Sequence, residues 1–422
     1  MGKIEIDHTG SGGGITLSSD GTSLLLGGTA IGGGGADLYA ANESSPTAQP
    51  SATGTNAIAI GDSTTSSGTS SVAIGFGADA SNTHNIAIGY NSEASTGTYN
   101  FAFGSGATAN ASYYATAIGQ TAGGLGSQAG ANGSFAAAGG VTATGNNAIA
   151  LGSSYASGTT SFAAAIGNRT SSYGASQTSA VAIGYQAKAF NTYSVAIGRT
   201  AIAGGDTALA LGEARANGVR SIAIGTTISS GKGASGLYSI GIGYNSASTG
   251  TGSVTLGPEN TSSSQYSVAI GYYASSAVQG KLAYAAGRFA AAGDAQGGQF
   301  ILRADTTDAT ATVLTTNNST AGSTNQIVAA SDTCITFDGT ITAMQNGAQA
   351  YASWKIEGLL VNDGGTTTLA NSATTVISNA DGWGMALSAD TGNNALAITV
   401  TGEAAHNIRW VANIRTTEVT YA

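Results

Sequence analysis

The sequence holds a single cysteine, Cys334, so no disulfide can form within the chain and its stability must come from packing and hydrogen bonding. A buried small thiol is the expectation for that side chain. Charge is scarce too. Only 8% of residues are charged, and the formal net charge of −9 divides into −4 over residues 1–53, +2 over 54–293 and −7 over 294–422. The last segment sets only Arg303, Lys355, Arg409 and Arg415 against eleven acids. No segment gathers the Lys and Arg that a phosphate backbone requires, so nucleic acid is excluded as a partner. No run of about eighteen apolar residues occurs, so no membrane insertion is expected. Met1–His8 shows no apolar core of signal-peptide length and no cleavage pattern, so no export signal is expected there.

Reactive constellations are missing as well. The acids between residues 54 and 293 are Asp62, Asp79, Glu93, Asp206, Glu213 and Glu259. Asp206 and Glu213 are the closest pair, and neighbouring repeats hold no matching acids, so paired carboxylates for polysaccharide cleavage are not expected. His8, His84 and His406 fall in three different segments and do not predict a metal-ligand set within one chain. No Gly-x-Ser-x-Gly elbow sits in a strand-turn-helix context, and no helix follows the glycines to make a phosphate cradle. The expectation is a chain with no enzyme activity, no cofactor and no metal.

What is present is one short phrase, repeated: Ile58-Ala59-Ile60-Gly61, Val72-Ala73-Ile74-Gly75, Ile86-Ala87-Ile88-Gly89 and onward to Tyr284-Ala285-Ala286-Gly287. A unit of about fourteen residues cannot bury its own apolar face and is stable only when stacked on copies of itself. The glycine spacing excludes collagen, and the regular aliphatic pairs exclude disorder. The two longest intervals between closing glycines predict bulges at Ser127–Ser134 and Gly231–Gly236. Each repeat has two halves, as in Ser194-Val195-Ala196-Ile197-Gly198 followed by Ala201-Ile202-Ala203-Gly204. Alternation with period two predicts one short strand per half, with glycine turning the corner.

The alternation also leads to an expectation about partners. If Val195 and Ile197 fill the inside of the coil, then Ala59, Ala73, Ala87, Ala102, Ala150, Ala182, Ala196, Ala210, Ala223 and Ala269 line a flat outer face. Such a face must meet something apolar, and the same face on another copy is the simplest partner, so a homo-oligomer is expected.

The flanks differ in texture. Residues 1–31 hold short alternating runs that predict a small β element, and residues 32–53 form a Gly-, Ser- and Pro-containing linker. The repeats fill 54–293. Beyond them all three tryptophans, Trp354, Trp383 and Trp410, appear among longer strand candidates: Phe300–Arg303, Tyr351–Val361, Trp383–Ala389, Ala395–Thr401 and Asn407–Tyr421. Residues 294–422 therefore predict a separate antiparallel β-sandwich whose tryptophans are core. Its turns at Asn362, Asp363, Asn393 and Asn394 are candidate receptor contacts, because loops on a rigid scaffold carry recognition.

The unit Ser-Val-Ala-Ile-Gly-x-x-Ala-x-Ala, best seen in Tyr193 to Gly204 and Ser221 to Gly225, resembles the head repeats of trimeric autotransporter adhesins. That resemblance implies an all-β chain: a trimeric left-handed parallel β-roll solenoid shaft, followed here by the C-terminal antiparallel β-sandwich knob. It also makes the alanine face the trimer interface. Such adhesins carry a signal peptide, a coiled-coil stalk and a membrane barrel, none of which is read in these residues. Ile4-Glu5-Ile6-Asp7-His8-Thr9-Gly10 and Ile15-Thr16-Leu17-Ser18-Ser19-Asp20-Gly21 look like the opening of tail-fibre proteins of marine tailed bacteriophages. Tyr351 to Gly358, Thr399 to Glu403 and Arg409 to Val411 are similar to the distal domains of such fibres. The implied protein is a virion tail fibre. Ile4, Ile6, Ile15 and Leu17 would attach it to other tail proteins, an adaptor or nozzle, and the knob would touch a host surface glycan or outer-membrane protein. A tailspike that also depolymerises host polysaccharide and a bacterial surface adhesin are the alternatives.

Overall fold

The computed structural model describes residues 48–119, 126–167, 170–226, 231–347 and 350–421, together with the backbone of four strands nearer the N-terminus. The chain divides into two compact units, Met1–Gln186 and Ala187–Ala422. Every regular element among the described residues is a strand.

In the first unit, Ile4–Ile6, Ile15–Ser19, Leu24–Leu26 and Thr29–Ile31 pair in sequence order as an antiparallel sheet, with Leu17 between Ile4 and Leu26. Ile4, Ile6, Ile15 and Leu17 lie on its first two strands, and their side chains fall outside the described residues, as does the expected linker from 32 to 47. The repeats begin earlier than residue 54, because Ser51–Ala52 already pairs in parallel with Thr65–Ser66. Nine copies of the phrase, from Ile58–Ile60 to Val181–Ile183, form short parallel strands stacked in register, so that Ala59 meets Ala73 and Ala73 meets Ala87. Two-residue strands such as Thr108–Ala109, Gln128–Ala129 and Thr142–Ala143 build a second parallel sheet from the other half of each turn. Gln128–Ala129 is thus a coil strand, so the bulge expected at Ser127–Ser134 does not exist. The extra residues of that turn precede it and lie largely outside the described residues.

The corners explain the strictness of the repeat. Gly75 sits at φ 123°, and a Cβ there would come 2.5 Å from the Gly89 carbonyl oxygen of the next turn. Another corner is taken turn after turn by a non-glycine residue in the left-handed region: Ser70, His84, Tyr99 and Tyr114 have φ of 54°, 58°, 61° and 61°. Single bulky residues seldom adopt this conformation, and here the pairing above and below holds it.

The alanines face the opposite way from the expectation. Ala73, Ala87, Ala102, Ala150 and Ala182 in the first unit, with Ala196, Ala210 and Ala269 in the second, have no exposed surface within a single chain, and Ala59 and Ala223 are also buried. The flanking Ile58, Ile60, Val72, Ile74, Ile86 and Ile88 point outward and are half-buried. The reason is space. Both sheets turn a column of small residues inward, Ala80, Ala94, Ala109 and Ala129 answering Ala73, Ala87, Ala102 and Ala117, and two sheets this close admit only small side chains, mostly alanine with Ser262 and Thr255 among the exceptions. Buried hydroxyls and amides in the same interior bond to nearby backbone: Ser71 Oγ donates to Gly68 O at 2.7 Å, and Asn85 Oδ1 accepts from Asn100 N at 2.9 Å.

The second unit holds seven more copies, from Val195–Ile197 to Leu282–Ala286. Gly233–Ala234 is again a coil strand, paired with Ala247–Ser248, so the bulge expected at Gly231–Gly236 is not there either. The C-terminal sheets are not a separate body. The last coil strand pairs antiparallel with Ala295–Thr306, Leu282 opposite Gln299 and Tyr284 opposite Gly297, and the same sheet continues through Ile408–Thr420, Thr333–Gln345, Tyr351–Asp363 and Thr366–Asn379. A smaller sheet, in which Ala395–Thr401 pairs with Gly384–Asp390, Thr312–Val313 and Ile327–Val328, faces it. Between them lie Phe300, Leu302, Phe337, Ile341, Trp354, Ile356 and Trp410 from the large sheet and Leu314, Ile327, Leu396, Ile398 and Val400 from the small one. Trp354 and Trp383 both pack on Trp410 with ring centroids 5.7 Å away, so the tryptophans are core as expected.

Where coil meets sandwich, side chains replace a missing turn. Gln296 accepts from Ser275 N at 2.9 Å and donates to Ser275 O at 3.0 Å, filling with its amide the place of the next strand. Its nitrogen also donates to Glu418 Oε2 at 2.8 Å, and that oxygen receives Lys281 Nζ at 2.6 Å. Thr416 donates to Glu418 Oε1 at 2.7 Å. The Lys281 and Glu418 side chains are each only 7% exposed. Lys281 stands at the position before the strand that Ser253 and Ser267 occupy in the preceding turns: Val254 N bonds Ser267 O, and Val268 N bonds Lys281 O.

Candidate interaction surfaces

Strand alternation places three kinds of surface on the chain. The first is the outward face of the phrase strands. In the second unit Val195, Leu209, Leu211, Ile222, Ile224, Ile240, Val254, Val268, Ile270 and Leu282 stand half-buried in two columns, and Ile197, Ile242 and Leu256 are exposed. Neighbouring turns cover the flanks of each side chain but not its tip. A continuous branched-aliphatic stripe is the kind of surface that marks an interface rather than a wetted face. In a single chain the alanines cannot take part in any such contact.

The second surface is the aromatic corner of the first unit. His84 stacks on Tyr99 at 4.8 Å between centroids and Tyr99 on Tyr114 at 5.2 Å, while at a different corner, just after the closing glycine, Phe76 stacks on Tyr90 at 5.3 Å. The rings cover one another's faces, so this column presents ring edges, and His84 is committed to a stack rather than to a ligand set. His8 lies outside the described residues, while His406 Nδ1 sits 3.3 Å from Glu403. Among the described residues no group of three or more His, Cys, Asp or Glu could hold a metal. Glu213 pairs with the Arg199 guanidinium of the preceding turn rather than with Asp206.

The third surface is the outer face of the large C-terminal sheet. Its cross-strand neighbours pair charges, Arg409 with Asp305 at 3.2 Å and Arg415 with Asp338 at 2.6 Å, around exposed Ile301, Val411 and Met344. At one end of this face a hollow of about 690 Å³ opens between Asp305, Thr342, Met344, Asn346, Asn407 and Arg409. Cys334 lies half-buried on the same face and is free.

The four candidate receptor residues come together at one end of the sandwich, where Thr367 donates to Asn394 Oδ1 at 3.0 Å and joins the two turns. They are not equally available. Asn362 is buried and donates to Ala329 O at 2.8 Å, which removes it as a surface contact. Asn393 donates from its side chain and backbone to Asp390, at 2.7 and 3.1 Å. The Asn393 side chain is the main cause holding the Asp390 carboxyl below its usual range, burial opposing it and backbone donors, the Asn393 N–H among them, adding to it. Asp363 is left exposed. The Lys281–Glu418–Gln296 cluster was not foreseen, although a lysine in a column of serine and alanine was a visible signal.

No helix among the described residues is long and apolar enough to cross a membrane, which says nothing of membrane barrels. In comparison with known families, residues 52–78, 142–154, 175–201, 203–227, 234–257 and 248–274 match the YadA head domain repeat. No curated protein matches the chain.

Proposed function

We propose that the chain is a homotrimeric tail fibre of a tailed bacteriophage, a structural binding protein whose repeats form a shaft and whose C-terminal sheets meet the host surface. The outward aliphatic stripe carries the self-association part of this reading. A coil already filled with alanine and serine has no internal use for two columns of Val, Ile and Leu at its surface, and neighbouring copies would bury them. The head-repeat match supports a threefold arrangement, since repeats of this type form homotrimers. The resemblance of residues 4–21 and of the segments between 351 and 411 to fibre proteins supports the virion setting, with the N-terminal sheet on other tail proteins and exposed sandwich residues such as Asp363 toward a surface glycan or outer-membrane protein. In this reading the protein binds and does not cut. Shorter oligosaccharides released from host polysaccharide by the purified chain would refute that part. The head-repeat match also favours a second reading, a bacterial surface adhesin. Mass spectrometry of purified virions and of cell envelopes separates the two: recovery with virions supports the fibre, and recovery only with envelopes overturns it. Light scattering checks the assembly, expected at three times 40.9 kDa.

A further inference from the structure

Three features of the second unit lie at one level of its stack. The first is a protruding loop, Gly287 to Gly293, that follows the last coil strand. The Asp294 carboxylate receives Phe289 N at 3.0 Å, Ala290 N at 2.6 Å and Ala291 N at 2.7 Å, and the Arg288 guanidinium lies 3.7 Å from the centre of the Tyr273 ring. A loop tied this firmly holds one shape. Yet it presents Phe289 to solvent with 80% of its surface exposed.

The second feature is a hollow of about 400 Å³ on the outward face, walled by Leu282, Tyr284, Gln299, Asp338, Arg415 and Thr417 and floored by Gly297. The third is Gly297 itself. Its neighbour Gly298 is required by the chain, since a Cβ there would run into Thr416 and come 2.6 Å from Glu418 Oε1. Gly297 is under no such demand: the nearest atom a Cβ would meet is Thr416 O at 3.5 Å, an ordinary contact, and its φ lies outside the left-handed region. Glycine within a strand costs stability and often marks the approach of another chain. Nothing inside this chain explains the missing side chain.

We infer that Phe289 of one copy seats in the Gly297 hollow of the adjacent copy, locking neighbouring chains together where coil passes into sandwich. This rests on the self-association reading above. Copies related by rotation about an axis along the coil make heterologous contacts between different residues at equal height. The geometry meets that condition: the strand Leu282–Ala286 runs directly into the Phe289 loop, and Ala295–Thr306 returns beside it carrying Gly297. The hollow continues the aliphatic stripe through Leu282 and offers the Arg415 guanidinium, a cation suited to an aromatic face.

The test uses the full chain in a Cys334→Ser background. Phe289→Cys with Gly297→Cys, treated with mild oxidant, is expected to give covalent products of two and three chains on denaturing gels, while either single substitution gives none of the three-chain product. In parallel, Gly297→Trp, which the single chain has room to carry, is expected to raise the dissociation constant of the assembly roughly tenfold or more, the scale of losing one interface anchor. Single-chain product alone from a protein that light scattering shows to be assembled overturns this contact and leaves the self-association reading standing. A wild-type chain that scatters as a single copy overturns both.

Discussion

Replacing Glu418 by glutamine tests how deeply the coil and the sandwich are bound together. The substitution keeps the shape and can keep the hydrogen bonds to Gln296 and Thr416, but it removes the negative charge facing Lys281 Nζ at 2.6 Å. Both side chains are withdrawn from water, and breaking a buried pair by removing one partner costs about 3–5 kcal/mol, because the remaining charge is left uncompensated. For a unit of this size the loss amounts to a fall in Tm of about 6–20 °C. The tryptophan cluster, all of it in the sandwich core, gives the fluorescence readout. Removing both charges, with Lys281→Met and Glu418→Leu together, is expected to recover most of the loss, since apolar replacement of a buried pair is often neutral. A Glu418→Gln protein within about 0.5 kcal/mol of wild type, the range of an ordinary surface substitution, would refute the claim that Lys281 is desolvated.

Three further substitutions probe the packing and the titration of single groups. Ala196→Ile forces a branched side chain into the closed interior and is expected to cost about 1–3 kcal/mol in urea unfolding, whereas Val195→Ser leaves the single coil folded and weakens assembly in light scattering. Asp294 is drawn two ways: burial pushes its carboxyl up, but the amides of Ala290, Ala291 and Phe289 outweigh it and hold the group below its usual range. A lowered folded pKa stabilises above the unfolded value, so this contribution is present at neutral pH and is lost as pH falls through the ordinary carboxylate range and below it. Asp294→Asn should flatten that part of the stability-against-pH curve, and an unchanged acid slope would discount the three-amide clasp.

Much of the architecture was legible because the repeat is short and strict. The phrase strands, their parallel stacking and the tryptophan-centred core all follow from period two and from the position of the aromatics. The facing of the coil did not, since alternation of alanine with isoleucine is satisfied by either orientation. The second half-strands held the clue: Lys188, Arg215 and Tyr155 alternate there with Ala189, Ala216 and Ala156, and a slot that accepts lysine, arginine and tyrosine cannot be the inside. Two long strands were also missed. Thr333–Gln345 carries Asp338-Gly339 at its centre, which looks like a turn, but the glycine is there because a Cβ would run into the backbone carbonyl oxygen of Asn413 on the neighbouring strand. Thr366–Asn379 shows almost no apolar alternation, being the outermost strand of its sheet with most side chains in water. At the candidate receptor turns, the sequence located the loops but could not tell that Asn362 faces inward.

The amide of Gln296, lying where another repeat would begin, has a consequence for the size of the particle. A parallel stack is by nature open-ended, and one molecule's last rung could recruit the first rung of another into a growing filament. With Ser275 already satisfied at both its N–H and its C=O, that docking site is closed at the C-terminal end. The reach of the stack is thereby written into the gene, one repeat at a time, rather than left to concentration.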